Sequence, residues 1–319
     1  MKKNNKLGCI SLLVLSPVAM AMQPLDDQGL SQTTGQAGID VGINISKVQV
    51  NQLSIIDRDG LGTTVNDANK ASLVVAGKSA GTLADQSMNV SFLGASNSST
   101  MNVVMDTDGG AISGSTGKPF ANIGLSFGSN ITGIKVSPFA LYLAGANSSS
   151  GPAGYQSIFT GTSEKSDVIK ILKMDSGIDI NFAASKPTMN LQLGNAPQGR
   201  MIAFGGAIQS ICGTGTGCAI ALLSDDSDVG ANFNFQLTGT DKTNGFSLNG
   251  FYAGVESSGF VFGNTGESSK FDLGINQMIM GTSGASAATV FNGLQNGSMG
   301  NFGAIGTSVT DLKVKINGL

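Results

Sequence analysis

Short stretches in which apolar and polar residues alternate recur from one end of the chain to the other: Val41-Gly42-Ile43-Asn44-Ile45, Ser87 to Phe92, Ile178 to Phe182, Asn190 to Leu193, Asn232 to Leu237 and Lys313 to Ile316. A period of two is the mark of a strand with one buried face and one wet face. No helical period is sustained after residue 40, and the alternating stretches are bounded by Gly, Asn, Ser and Asp. The expected fold is therefore all-β, with many short antiparallel strands in a large, elongated sandwich or stacked-sheet architecture. With 46 Gly and only 12% charged residues among 319, the chain turns often and carries little surface charge. Val168 to Lys173 fits one helical turn nearly as well as a strand, but the turn Asp175-Ser176-Gly177 before Ile178 favours a hairpin. The one helix expected is short, from Pro24 to Thr34, with Asp26 as N-cap and Gly35 just past its end.

Two faint internal similarities accompany the alternation. Gly128 to Val136 and Gly306 to Val314 share a Gly, a Thr and an apolar-Lys-Val ending, and Ile55 to Gly60 and Val104 to Gly109 both end in Asp-x-Asp-Gly. Their spacing is not constant, so no regular solenoid is implied. The polar stretches 146–154 and 161–166 mark a division near 146–166 within a β-rich domain spanning 40–319.

Residues 1–21 have the layout of a secretory signal: Lys2, Lys3 and Lys6, then an apolar run to Met20, then Ala19-Met20-Ala21 as cleavage site. Removing them takes away three Lys and no acid, leaving 15 Lys and Arg against 21 Asp and Glu, a formal charge of −6. That balance argues against nucleic acid or anionic lipid as a partner, both of which need clustered Lys and Arg. The signal places the chain in the periplasm, at the outer-membrane surface or outside the cell. The two remaining cysteines, Cys212 and Cys218, form an even pair and are expected to close a disulfide across a hairpin tip.

The sequence contains no His, which removes triad hydrolases, Cys-His nucleophiles and His-bearing zinc sites. Ser115-Thr116-Gly117-Lys118 has the spacing of a Ser-Lys dyad, but Gly114, Gly117 and Pro119 make it a loop, and no catalytic residue is assigned. No cofactor is expected. Asp57, Asp59, Asp106 and Asp108, in the two Asp-x-Asp-Gly turns, are the candidate calcium ligands, with the acidic loop Asp225, Asp226 and Asp228 beside them. Backbone-capping turns are the simpler account of these carboxylates. Phe251-Tyr252, the one adjacent aromatic pair, is the candidate stacking platform for a glycan. The alternation also admits a small outer-membrane β-barrel, although the 16 Phe and 3 Tyr are scattered instead of gathered into girdles, and Trp is missing.

The stretch after the cleavage site is the most specific: Leu25, Asp26, Asp27, Leu30, Ser31, Thr34, Gly35, Gln36, Ala37 and Gly38, in Pro24-Leu25-Asp26-Asp27-Gln28-Gly29-Leu30-Ser31-Gln32-Thr33-Thr34-Gly35-Gln36-Ala37-Gly38-Ile39. It resembles the leader-proximal motif of the DUF6160 / FilA-like family of exported Gly-rich β proteins of Acinetobacter and Pseudomonas relatives. The resemblance implies a surface or pilus-associated role with envelope or pilus proteins, or further copies of the chain, as partners. It supplies no catalytic residues. Taken together, these features give an exported, non-enzymatic envelope protein, a component or accessory of pilus assembly. A glycan- or calcium-binding module and the small barrel are the alternatives.

Overall fold

A computed structural model describes residues 38–57, 59–62, 71–77, 87–94, 100–109, 111–112, 115–116, 118–145, 168–195, 197–224, 229–257, 259–282, 290–291, 294–295 and 298–317. The signal, the helix from Pro24 to Thr34, the motif from Leu25 to Ala37, the polar stretches within 146–167 and the loop Asp225 to Asp228 lie outside them. Residues 39–319 form one compact unit. As the alternation predicts, all regular structure among the described residues is β.

The strands of the two large sheets fall into eight long runs, each interrupted once or twice: 39–57, 71–108, 120–145, 168–194, 202–223, 229–256, 259–282 and 298–316; Ala111–Ile112 with Ser115–Thr116, and Val290–Phe291 with Leu294–Gln295, are separate two-stranded pairs. Every run pairs antiparallel with the runs before and after it in the sequence, so the fold is one meander. Consecutive pairing of this kind is the simplest way for adjacent segments to satisfy their backbone hydrogen bonds. One end of each run contributes to an eight-stranded sheet, including Phe120–Phe127, Thr188–Gly194 and Phe251–Glu256. The remainder contributes to a larger sheet of fourteen strands. The path through the larger sheet begins at Lys47–Val50 and returns to Gln52–Asp57, nearly closing on itself. It does so because the runs are broken in the middle.

Two expectations are corrected here. Val168–Met174 and Ile178–Phe182 are both strands, but they do not pair with each other: the first pairs with Phe139–Gly145 and Cys218–Leu223, the second with Ile131–Val136 and Ala207–Ile211. Asp175 to Gly177 is therefore an in-line interruption, not a hairpin. The Asp175 amide still bonds the Ala219 carbonyl at 3.0 Å and the Cys212 amide bonds the Asp179 carbonyl at 2.7 Å, so the ladder resumes on either side. Gly177 is required at this point, because its φ is +73° and a Cβ would stand 2.1 Å from the Val136 carbonyl oxygen.

The cysteine loop behaves in the same way. Cys212 and Cys218 form the expected disulfide, with Cα atoms 5.2 Å apart. Its flanking strands nevertheless lie end to end along one edge of Val229–Gly239: Ile211 faces Leu237 and Cys218 faces Phe235. The bridge ties off an excursion from a continuous ladder instead of closing a hairpin tip.

Candidate functional site

The register assigns every strand residue to one of two faces, because directly opposed residues project to the same side and neighbours alternate. Across the eight-stranded sheet, one row reads Ile39, Met105, Ile123, Leu191, Ile202, Ala253, Phe262 and Val314. The adjacent row on the opposite face reads Asp40, Val104, Gly124, Asn190, Ala203, Tyr252, Gly263 and Lys313. The larger sheet repeats the division. One apolar row is Phe92, Ile134, Ile180, Ile211, Leu237, Leu273 and Ala304, and another is Leu53, Val75, Leu141, Leu172, Leu222, Ala231 and Met280. Among the charged residues in paired strands, Asp57 alone shares that side, at the last rung of its strand. Lys47, Lys135, Asp179, Lys173 and Asp272 all project from the other.

These apolar rows form one continuous surface. Met174 and the Cys212–Cys218 bridge pack with Phe139, Leu172 and Ile220 from one half of the larger sheet and with Ile178 and Ile211 from the other half. Between the two sheets the surface turns a corner. Extending the register from Gly133 and Asn181 by one rung puts Thr132 opposite Phe182, five residues beyond Phe127. A straight strand would separate Phe127 from that rung by roughly 16 Å. The two rings are 4.6 Å apart. Phe92 faces Ile134, seven residues from Phe127, yet those rings lie 6.3 Å apart. The runs therefore bend between the sheets, and the apolar surface lies on the inside of the bend.

Polar groups fix the corner. The Ile131 amide donates to the Gly128 carbonyl, and the Lys186 ammonium donates to the carbonyls of Gly128 and Ser129. Thr100, buried, accepts from the Ile45 amide at 3.0 Å and donates from the same hydroxyl toward the Ile45 carbonyl and Asn44. Gly206 at the matching corner of the fifth run has φ +73°, and a Cβ there would sit 1.8 Å from the Lys186 carbonyl oxygen. A second ring series, Phe204, Phe262, Phe251, Phe246 and Phe271, carries the apolar surface around the corner at the far side, with successive centroids 5.5–6.3 Å apart.

Strand alternation leads one to expect the apolar face to be buried, and the structure corrects this. Of the residues in the three apolar rows, Ala253 alone is buried. Leu193 is 42% exposed and Leu222 46%. Two small clusters are tightly buried: Val74, Ala76, Ala140, Tyr142 and Ala144 on the other face, and Met174 with Cys212 and Cys218 on the apolar side, packed against Leu172, Ile211 and Phe235. The result, among the described residues, is a partly exposed apolar face, a trough concave at the corner, where Phe92, Phe127 and Phe182 pack together, and tightly packed only around Met174 and the Cys212–Cys218 bridge.

The residues singled out in the sequence sit elsewhere. Asp57 ends Gln52–Asp57 in the larger sheet and Asp108 ends Met101–Asp108, which contains Asp106, in the eight-stranded sheet; the two runs are antiparallel, so the two Asp-x-Asp-Gly turns lie at opposite ends and do not converge. Asp57 accepts from the amides of Asp59 and Gly60 at 3.2 and 3.0 Å, and these backbone bonds hold its carboxyl below the usual range. Asp106 accepts from Thr107 at 2.7 Å. Among the described residues there is no group of three or more metal-ligating side chains. Ser115 lies in the two-residue strand Ser115–Thr116, paired with Ala111–Ile112, away from any helix. Phe251 and Tyr252 are strand neighbours and so face opposite ways: Phe251 joins the ring series, while Tyr252 lies under the Arg200 guanidinium, 4.3 Å from its ring centre. They do not make one platform.

One polar cluster was not foreseen. Asp272 accepts from the Thr240 hydroxyl at 2.6 Å, the Gly306 amide at 3.0 Å and the Lys242 ammonium at 2.9 Å, which together lower its pKa to about 2. It clasps the loop that follows Val229–Gly239, within the sixth run, to the end of Ser298–Thr307.

The fold and register define the class: an all-β meander that, among the described residues, carries its charged strand residues on one face and charge-free apolar rows on the other. Residues 1–109, about a third of the chain, match the model of a family of unknown function, DUF6160. No curated protein and no solved structure matches the chain.

Proposed function

We propose that this is an exported, non-enzymatic envelope protein that works by holding an apolar partner against the trough. The observation that carries this reading is the segregation of the two faces. A sheet that fills its own core buries its apolar rows, whereas here the rows carry no charge and Ile39, Met105 and Val314 in one, and Leu53, Leu222 and Met280 in another, each stand more than a third exposed among the described residues. The signal-like layout of residues 1–21, basic start, apolar run and Ala19-Met20-Ala21, and the disulfide between Cys212 and Cys218 are consistent with export, since such a bridge persists in an oxidising compartment. Photo-crosslinking in cells tests the reading. With p-benzoylphenylalanine in place of Phe204, on the trough side, adducts are expected; with the same group in place of Asp106, on the charged side, they are not. Equal adduct formation from both positions would contradict it.

A filament role, implied by resemblance to the FilA-like proteins, draws on a different feature. The first and eighth runs pair on one side only among the described residues, and Ile55 and Ile316 stand 73% and 61% exposed on them. Open edges of this kind accept a further strand, from another copy or another subunit. Deleting the gene and imaging the surface filaments tests that role; unaltered filaments would end it.

A further inference from the structure

The two edges of the eight-stranded sheet specify a partner, on the reading that they accept a further strand. We infer that this partner is a second copy of the chain, joined through unlike edges: the first run of one copy pairs antiparallel with the eighth run of the next.

The edges are Ile39–Ile43 and Lys313–Ile316, at opposite ends of the strand order. Among the described residues, all of Lys313–Ile316 is exposed, as is every residue of Ile39–Ile43 before Ile43, whereas Phe120–Phe127 inside the sheet is partly buried throughout. Three features match one edge to the other. The first is direction. In a meander of eight runs the first and last are antiparallel, so a copy added in the same orientation continues the alternation. The second is the backbone. The Ile43 carbonyl accepts from the Thr100 amide at 2.8 Å and the Leu312 carbonyl from the Asn264 amide at 3.0 Å, both toward the inside of the sheet. Backbone groups alternate between the two sides of a strand, so those of Asp40 and Gly42 on one edge, and of Lys313 and Lys315 on the other, point outward.

The third feature is the side chains. Setting Asp40 opposite Lys315 pairs these outward groups, and the neighbouring rungs then join Ile39 to Ile316, Val41 to Val314 and Ile43 to Leu312. The apolar row of one copy thus runs into that of the next. On the other face the Asp40 carboxylate meets the Lys315 ammonium, while Lys313, held to Glu256 at 3.1 Å, stands opposite Gly42. Like edges match less well. Two eighth runs in the same backbone phase set lysine against lysine at both charged rungs, and like charges directly opposed repel. Two first runs set Asp40 against Gly42 or a second Asp40 and gain no opposite charge. A contact between unlike edges leaves one edge open on each added copy, so it propagates into a filament.

The test replaces Val41 and Val314 by Cys in the purified full chain. These positions oppose each other in a rung without backbone bonds, where Cα atoms about 4.5 Å apart suit a disulfide. Mild oxidation is expected to give a ladder of linked multimers, while each single variant and the parent chain give none. Asp40→Lys in the double-cysteine chain is expected to reduce the ladder at least fivefold, and adding Lys315→Asp to restore it. That rescue separates loss of pairing from misfolding. A crosslinked monomer alone would mean that the edges of one chain close on each other, and dimers from Val41→Cys alone would mean symmetric pairing. Either result, or no crosslink at all, overturns the assignment. If deleting the gene still alters the surface filaments in that case, the edges keep their role with a strand from a different subunit. If filaments are also unaltered, both readings fall.

Discussion

Phe127 and Phe182 touch, ring centres 4.6 Å apart, although they belong to different sheets and the register places Phe182 five residues beyond Phe127 along the run. That contact is the direct record of the corner. Replacing Phe127 by Ala removes the ring from the inside of the bend, and because the site is half open the cost is expected to be about 2 kcal/mol, less than for a fully buried Phe. Ser126→Ala, one residue away on the other face, is expected to change stability by under about 0.5 kcal/mol. Denaturant melts of the two variants check the difference.

Gly206 tests the corner through the backbone. An Ala there meets both an unfavourable φ and the Lys186 carbonyl oxygen, so Gly206→Ala is expected to destabilise by about 2 kcal/mol or more. Gly199→Ala is its control: Gly199 also has a positive φ, +76°, but a Cβ there meets nothing within 4 Å. The control should lose only the conformational part, about 1 kcal/mol. Equal losses would mean that Lys186 and Gly206 are not closely apposed.

The Cys212–Cys218 bridge ties a short loop, for which the loop-entropy estimate is about 2 kcal/mol. Because the strands on either side are held by Val229–Gly239, reduction is expected to loosen residues 212–217 while the ladder through Ile211 and Ala219 survives. Hydrogen exchange before and after reduction reads this out. Loss of protection through both flanking strands would indicate a hairpin after all.

Asp272 gives the acid dependence. Its folded pKa of about 2 lies below the ordinary 3.8, so the folded state binds this proton less readily than the unfolded one. The resulting stability is fully present above about pH 4 and is lost as pH falls toward 2. Its size is about 1 kcal/mol once solvent screening of a partly exposed carboxylate is allowed for. Asp272→Asn is expected to lower stability at pH 6 and to flatten this part of the pH profile. A variant with an unchanged slope between pH 4 and 2 would contradict the assignment.

Much of the architecture was legible because alternation is local: Ile178 to Phe182 and Asn232 to Leu237 read as strands from their own residues, and both are strands. The cysteine pair was equally plain. What remained hidden depended on register between distant runs. Asp175-Ser176-Gly177 has the composition of a hairpin turn, and only the partners of the strands on each side show that the chain goes straight on. The corner was hidden for the same reason, since it is fixed by Lys186 reaching Gly128 and by Thr100 reaching Ile45. One signal was there to be used. Phe127 and Phe182 each close an alternating stretch just before a small, polar segment, where a ring on the apolar side can bridge two panels of sheet. The trough as a site had no motif, because an open apolar face and a buried one alternate in the same way.

The measurement that bears most directly on the account is labelling of the purified protein with a small apolar diazirine that seeks exposed hydrocarbon surface. Along Thr188–Gly194, labelling at Met189, Leu191 and Leu193 with little at Asn190 and Gln192 is the predicted result. Uniform labelling, or none at Leu191, would show that the apolar rows are not an open surface and would contradict the account.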